Sequence, residues 1–145
     1  MTNRKFLPYQ GFGDIQFGDY YLDVRKKLDS PFEQVYFDED AKWFSDHFDD
    51  LGFKVEYDLN NKVVSIEVWT YLQHEFVFLE KNLTPLILEE LTEFINDIDE
   101  KAEPFSIGIY SPKYGISICS NSLEDDEPAS SFHVIREDYM TLHQS

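Results

Sequence analysis

At 145 residues the chain has the length of one domain, and folding of such a domain buries roughly 68 to 70% of the surface that the unfolded chain exposes. Its 12 basic and 29 acidic residues give a formal net charge of -17, which excludes ordinary binding to nucleic acids or anionic membranes. The hydrophobic share of 42%, with 13 Phe and 9 Tyr, excludes a disordered chain. We therefore predict a single domain over residues 1–145.

Cysteine content and hydropathy indicate the compartment. The single cysteine, Cys119, cannot form an intramolecular disulfide, which suits a reducing environment. No apolar run of about 7 to 15 residues follows the first basic residues, as a signal peptide requires. No segment approaches the apolar run of about 20 residues that spans a membrane. We expect a cytoplasmic protein.

Residues 11–18, with the sequence G-F-G-D-I-Q-F-G, lead into the first predicted helix. Their glycine spacing fits neither a dinucleotide-binding motif nor a phosphate loop, so the segment indicates a short strand and a turn. Asp19 is a favourable N-cap, and the helix is predicted over residues 20–28 with a cationic last turn that complements the helix dipole. Its apolar stripe consists of Tyr21, Val24 and Leu28.

The next segment predicts strands at residues 32–37 and within residues 41–50. Asp46, Asp49 and Asp50 cluster here beside His47, a grouping that resembles a metal site. A calcium loop, however, needs oxygen ligands at fixed alternate positions and a glycine at the sharp turn, and that spacing is absent. We expect neither a metal ion nor another cofactor.

A central hairpin is predicted from two alternating segments joined by the four residues 58–61. The first is residues 52–57, and the second carries Val64, Ile66 and Val68 on one parity and continues to Tyr71. Trp69 and Tyr71 lie on the opposite parity from the aliphatic residues of the second strand. If only one face of the sheet is covered, these two aromatic side chains are exposed and suited to a protein interface. Cover by a second helix or loop is the alternative.

A third strand is predicted at residues 75–79, followed by a helix with Thr84 as N-cap and Pro85 at its first position. The helix is expected to end near Asp97. Its core stripe consists of Ile87, Leu91, Phe94, Ile95 and Ile98. Its opposite, acidic face consists of Glu89, Glu90, Glu93 and Asp97.

The last third predicts strands at residues 105–110, 115–120 and 132–136, with an acidic loop at residues 121–131. Residues 138–145 are expected to be a loose tail or a frayed turn. The order of elements predicts an α+β fold in which about six strands form an antiparallel sheet of hairpins and two amphipathic helices pack on one side.

No catalytic motif is present. Carboxylates are so abundant that paired acids carry no information, and no nucleophile signature surrounds Cys119 or a serine near the histidines. We predict a protein that is not an enzyme. A small hydrolase, or an enzyme for a small cationic substrate, is the less favoured alternative and would need a concave pocket with convergent polar groups.

The first half of the chain carries a family resemblance. Residues 11–18 leading into an amphipathic helix, followed by the hairpin that ends in K-V-V-S-I-E at residues 62–67, resemble small bacterial immunity proteins encoded beside polymorphic or contact-dependent toxins. The resemblance implies a cytosolic protein that binds a toxin domain and occludes its active site, with acidic side chains when the toxin is a basic nuclease. The net charge agrees with that implication.

We therefore expect a basic protein partner, with a cognate toxin domain as the first hypothesis and a regulatory or structural module of incidental acidity as the second. Loops reach into a cleft more readily than helix faces, so acidic loops are the first candidates for contact. The loop candidates are Asp46, Asp49, Asp50, Glu124, Asp125, Asp126 and Glu127. The further candidates are Glu89, Glu90 and Glu93 on the helix and the aromatic residues Trp69 and Tyr71.

Overall fold

An eight-stranded antiparallel sheet forms the centre of the fold in a computed structural model that describes residues 3–40, 42–121 and 126–142. Within these residues the sheet is accompanied by a three-stranded sheet, a two-stranded sheet and three helices. In chain order the elements are β1 Phe6–Leu7, β2 Gly11–Phe12, β3 Ile15–Gln16, α1 Tyr21–Leu28, β4 Glu33–Tyr36, β5 Phe44–Phe48, β6 Phe53–Tyr57, β7 Val63–Trp69, β8 Val77–Phe78, β9 Lys81–Asn82, α2 Leu88–Ile98, β10 Glu103–Phe105, β11 Gly108–Ser111, β12 Ile116–Cys119, β13 Ser131–Ile135 and α3 Tyr139–Leu142. None of the described helices has the length and apolar character needed to cross a bilayer.

The main sheet has the order β10-β11-β12-β13-β7-β6-β5-β4. The predicted α+β class with an antiparallel sheet is confirmed, but the sheet has more strands than the six or so predicted. One reason lies at residues 103–111, where a single strand was predicted over residues 105–110. The chain instead turns at Ser106 and Ile107, so that Phe105 pairs with Gly108 and two strands form.

The central hairpin of β6 and β7 confirms the pairing of the two alternating segments, with one irregularity. Tyr57 pairs with Val63 and Glu56 pairs with Ser65, which leaves Val64 as the extra residue of a β-bulge. The connection is therefore residues 58–62, one residue longer than predicted. Val63 joins the main core cluster in place of Val64, which is buried outside it.

The two longer helices pack on one face of the main sheet. Val24 of α1 and Leu91 and Ile95 of α2 are buried, and they share one core cluster with Val55 and Ile66 of the sheet. Both predicted apolar stripes thus form helix faces that contact the core. We call the sheet surface on the other side the second face.

Helix α1 begins one residue later than predicted. Its N-cap is Tyr20, which makes no side-chain capping bond. Asp19 accepts a hydrogen bond from the backbone N–H of Gln16 at 2.9 Å and pairs with Lys27 Nζ at 2.9 Å. Its carboxylate therefore fixes the turn before the helix and also contacts the cationic last turn.

Helix α2 begins four residues after the predicted N-cap. The hydroxyl of Thr84 donates to the carbonyl of His74 at 2.7 Å, so Thr84 and Pro85 belong to the preceding loop. The N-cap is Ile87, whose backbone N–H donates a hydrogen bond to the Glu90 carboxylate at 3.2 Å. A glutamate at the third helical position thus supplies one half of a capping box without a capping hydroxyl.

The strand predicted at residues 75–79 does not join the main sheet. Strand β8 pairs with β9 in a separate two-stranded sheet, and its Val77 also forms an isolated parallel bridge with Lys5. The turn between them places Leu79 and Glu80 in the left-handed region, at φ 51° and 66°. Non-glycine residues seldom adopt this conformation, so a turn at these two residues could not be predicted from their types.

The C-terminal segment contains the four-residue helix α3, and residues 143–145 lie outside the described residues. Tyr139 of α3 packs edge-to-face on His133 of β13, with 5.4 Å between ring centroids. Burial raises the pKa of Tyr139, and the charges of Glu56 and Glu67 add to this effect. Helix α3 therefore covers part of the second face.

A buried carboxylate fastens the end of α2 to the main sheet. Asp99 is 3% exposed, and its carboxylate accepts hydrogen bonds from the Ser111 hydroxyl at 2.7 Å and from the backbone N–H groups of Lys101 and Lys113 at 2.9 and 3.2 Å. Desolvation raises the pKa of Asp99, but these hydrogen bonds outweigh it and the net pKa is lowered. The ionised form therefore stabilises the fold.

We predict that Asp99→Asn lowers the free energy of unfolding at neutral pH by about 1 kcal/mol, because a neutral amide accepts these bonds more weakly. The folded-state pKa of Asp99 lies below its ordinary value of 3.8, so its contribution is present above that pH and is lost as the pH falls through the folded value. Urea unfolding of both proteins from pH 7 to pH 2.5 measures this. A difference that grows on acidification would contradict the assignment.

Candidate functional site

The second face of the main sheet is polar, in contrast to the face under the helices. Strand alternation and the register of β5, β6, β7 and β13 place charged and polar residues there in adjacent rows. One row runs from His47 through Lys54 and Glu67 to His133, and Lys54 Nζ lies 3.7 Å from Glu67 Oε2. Part of this face is therefore able to meet a polar partner directly.

An open groove of about 1060 Å³ lies at one end of this face. Its floor includes Glu67 and Trp69 of β7, and Asp49 and Tyr71 contribute from the turns beside the strand ends. Residues 128–131, which lead into β13, line the other side. We call this space the Trp69 groove.

The end of strand β7 positions the aromatic residues of the groove. Alternation directs Glu67 and Trp69 to the second face, and the chain then turns, with Gln73 N–H donating to the Thr70 carbonyl at 2.8 Å. The Thr70 hydroxyl donates to the Ala129 carbonyl at 2.6 Å. This bond fixes the wall at residues 128–131 to the end of β7.

The indole of Trp69 is held on several sides. Its Nε1–H donates to Glu67 Oε1 at 2.9 Å, and its ring lies 5.7 Å from the ring of His47 and 6.2 Å from that of Tyr71. Tyr71 is 63% exposed, and its hydroxyl donates to the Asp49 carbonyl at 3.5 Å. The groove thus presents two oriented aromatic rings beside carboxylates.

Three of the predicted contact residues meet at the Trp69 groove: Asp49, Trp69 and Tyr71. Asp50 adjoins them and is exposed, and its carbonyl lies 3.4 Å from Nε2 of His74. Their participation in binding stays a prediction, but their proximity is a property of the fold.

Asp46 occupies a different environment from the other loop candidates. It is fully buried on the helix side of β5, where its carboxylate accepts hydrogen bonds from Arg25 at 2.7 and 2.8 Å and from the Tyr57 hydroxyl at 2.9 Å. Burial raises the pKa of Tyr57, and the charge of Asp46 adds to this. Asp46 is therefore a structural residue, and we leave it out of the proposed contact surface.

Strand alternation also separates the residues of the metal-like grouping. Asp46 points towards α1, whereas His47 points to the second face, where its Nε2 lies 3.2 Å from the Ser45 hydroxyl oxygen. Asp49 and Asp50 follow the strand end and are exposed. In the part of the chain that the structure describes, no three His, Cys, Asp or Glu residues are arranged to hold a metal ion.

The acidic loop and the acidic helix face, which lie far apart in sequence, are neighbours in the structure. Glu127 accepts the Leu88 N–H at 2.8 Å through its carbonyl, and Pro128 forms a bridge with Ile87. Glu124 and Asp125 lie outside the described residues. We define the acidic rim by the exposed residues of both segments, Asp126, Glu127, Glu89, Glu90 and Glu93.

The rim adjoins the Trp69 groove through Pro128, which lines the groove and bridges to the start of α2. Sequence reasoning did not identify Glu67, His47 or the wall at residues 128–131 as parts of one site. Ser65, Glu67 and Trp69 share one parity of the strand, so the sequence alone could have predicted that Glu67 lies on the same face as Trp69. The wall depends on pairing between distant strands, which no local pattern encodes.

Cys119 is a half-buried strand residue paired with Ser131. Burial, followed by the charge of Glu67, raises the pKa of its thiol. A raised pKa reduces the thiolate fraction, so the local environment does not activate this cysteine as a nucleophile.

Comparisons with known proteins add no family to this description. No protein-family model matches the chain, and no curated protein or solved structure is significantly similar to it. The function of this chain must therefore be inferred from its own geometry.

We predict that Asp46→Ala lowers the free energy of unfolding by about 3 kcal/mol, because it leaves the Arg25 guanidinium and the Tyr57 hydroxyl without their carboxylate. Asp46→Asn, which keeps an acceptor, should lose less. Asp49→Ala is the matched control and should change stability by about 0.5 kcal/mol or less. Equal urea midpoints for Asp46→Ala and Asp49→Ala would refute the structural role of Asp46.

Proposed function

We propose that this protein is a non-catalytic inhibitor that binds a cationic protein domain through the Trp69 groove, in the manner expected of a bacterial immunity protein that occludes a toxin. The observation that carries the proposal is the groove itself. It combines the exposed ring of Tyr71 and the half-buried ring of Trp69 with carboxylates on a sheet face that the two longer helices leave uncovered.

The aromatic residues supply the anchoring part of such an interface. Tyr and Trp dominate binding hot spots because they bury a large area with few rotatable bonds. Trp69 is already held by Glu67, His47 and Tyr71, so little side-chain freedom remains to be lost on binding. The groove is thus preorganised for a protruding part of a partner.

The charged residues of the groove determine which side chains of a partner can enter it. A lysine or arginine side chain entering the groove would meet the Trp69 ring, the Glu67 carboxylate and the Asp49 side chain. Cations bind favourably over an indole face, and a nearby carboxylate adds charge attraction. The acidic rim beside the groove extends the same complementarity over a wider area.

A nuclease is the toxin class that best fits these features. Enzymes that bind nucleic acid present cationic surfaces to the phosphate backbone. A chain of net charge -17 would be steered towards such a surface and would exclude the substrate while bound there. Association would weaken as salt increases.

The groove also offers the concavity that an enzyme for a small cationic substrate would need. Its side chains, however, already serve structural contacts. Glu67 accepts the Trp69 N–H and lies near Lys54, and His47 contacts Ser45. Because Glu67 and His47 already have protein partners, this arrangement favours binding over catalysis.

We predict that a cationic toxin domain binds the wild-type protein at least about 30-fold more tightly than Trp69→Ala or Tyr71→Ala, which is the loss expected for a hot-spot residue. The toxin would be captured from host extract, eluted with rising salt, purified and titrated by calorimetry. Co-expression of the wild-type protein should restore growth of cells that produce this toxin, and the double variant should not.

The matched control is Phe105→Ala, which removes an exposed aromatic side chain on β10, at the far edge of the main sheet from β4. This variant should retain both binding and protection. The proposal fails if the captured cationic protein is harmless to cells, or if the groove variants bind and protect as well as the wild type does.

A further inference from the structure

The two edges of the main sheet differ in their ability to accept another strand. The β10 edge has three residues and contains Pro104, a residue that cannot donate a backbone hydrogen bond and that protects sheet edges. The β4 edge has four residues and no proline within the strand. Of these two edges, β4 is therefore the one open to further pairing.

The backbone of β4 has groups directed away from the sheet. Phe37, just after the strand, donates its N–H to the Trp43 carbonyl at 3.4 Å on the β5 side. In an antiparallel ladder successive residues point their hydrogen-bonding groups to opposite sides, so Gln34 and Tyr36 direct their N–H and C=O groups outward. Among the described strands none lies beyond β4.

Side chains hold this edge in place without blocking it. Gln34 Nε2 donates to the Tyr36 hydroxyl at 2.9 Å, and Gln34 Oε1 accepts from Arg25 at 2.9 Å. The Arg25 guanidinium also stacks over the Phe32 ring at 4.2 Å. Tyr36 and Phe37 are nevertheless 54% and 63% exposed, so apolar surface remains beside the outward backbone groups.

The charged residues near the β4 edge determine which kind of strand can pair with it. Residues 28–42 contain one basic residue, Lys42, and five acidic residues, namely Asp29, Glu33, Asp38, Glu39 and Asp40. Arg25, which contacts Gln34, is already paired with Asp46. A second copy of this chain pairing edge to edge would bring the two acidic sets together, which is unfavourable. A segment with lysine or arginine side chains would instead be attracted.

We propose that β4 accepts an extended, cationic segment of another protein as an additional strand of the main sheet. The outward N–H and C=O groups of Gln34 and Tyr36 form the ladder, as in β-strand addition. Apolar side chains of the guest strand cover Tyr36 and Phe37, and its basic side chains meet the acids around the edge. This surface is separate from the Trp69 groove and does not depend on its function.

The probe for this proposal is a terminally blocked peptide of alternating lysine and valine residues. Hydrogen exchange by NMR on the wild-type protein should show peptide-dependent protection of the Gln34 and Tyr36 amides by at least about tenfold. A fully N-methylated peptide of equal charge should give no protection, because its methyl groups remove its N–H donors and also keep its backbone too far from β4 to accept hydrogen bonds. A glutamate–valine peptide should bind more weakly than the lysine peptide.

Tyr36→Pro provides the matched variant, since it removes the outward N–H of residue 36. The backbone hydrogen bonds from β4 to β5 are made by the alternate residues of β4 and should remain. It should weaken binding of the lysine peptide at least about tenfold while Phe105→Ala leaves it unchanged. If Tyr36→Pro does not fold, the exchange data on the wild type decide the question.

Three results would overturn the proposal. The first is no peptide-dependent protection at Gln34 and Tyr36. The second is equal binding of the N-methylated peptide, which would show charge attraction without strand pairing. The third is a dimer that forms without peptide, is seen by sedimentation and is abolished by Tyr36→Pro. That result would make a second copy of the chain the occupant.

Discussion

Strand alternation in the main sheet divides its side chains between a face buried under α1 and α2 and a second face that is largely polar. On the buried side, Phe53 and Val55 of β6 meet Ile66 and Val68 of β7 and the apolar stripes of both helices. Since one covered face suffices for a core in an antiparallel sheet, the other face is released from packing. The groove at Trp69 occupies part of that released surface.

The same division decides which acidic residues can serve a partner. Asp46, Asp58 and Asp99 are buried, and each has structural partners: Arg25 for Asp46, Arg136 for Asp58, and Ser111 for Asp99. Their charges are compensated within the fold by ion pairs or hydrogen bonds. The acids that remain exposed include Asp49 and Asp50 beside the groove, and those of the acidic rim. Part of the net charge therefore reflects folding requirements, and part of the remainder lies around the groove and at the β4 edge.

Much of the fold was predictable because its signals are local. Alternation identified β6, β7 and β13, and the 3.6-residue periodicity identified the core faces of α1 and α2. The errors fall where local preference yields to tertiary contacts. Thr84 is a good capping residue by type, yet its hydroxyl bonds to His74, and helix α2 starts at Leu88.

The site was predictable in part. The parity of Trp69 separated it from the core residues of its strand, and it lies half-buried on the second face; the acidity of Asp49 was plain in the sequence. Burial of Asp46 was not predictable, because it depends on Arg25, a residue 21 positions away. The cationic end of helix α1 was already explained by the helix dipole, so nothing pointed to a buried partner for Arg25. The groove wall at residues 128–131 requires the pairing of β13 with β7, which joins segments about sixty residues apart.

The most direct measurement of the central claim is hydrogen exchange, followed by mass spectrometry, on the complex with the captured cationic protein. Binding through the Trp69 groove should slow exchange in residues 67–73 and 128–131, with a smaller effect at Asp126 and Glu127. Slowed exchange confined to α2, with the end of β7 unchanged, would contradict the account and place the contact on the acidic helix face instead.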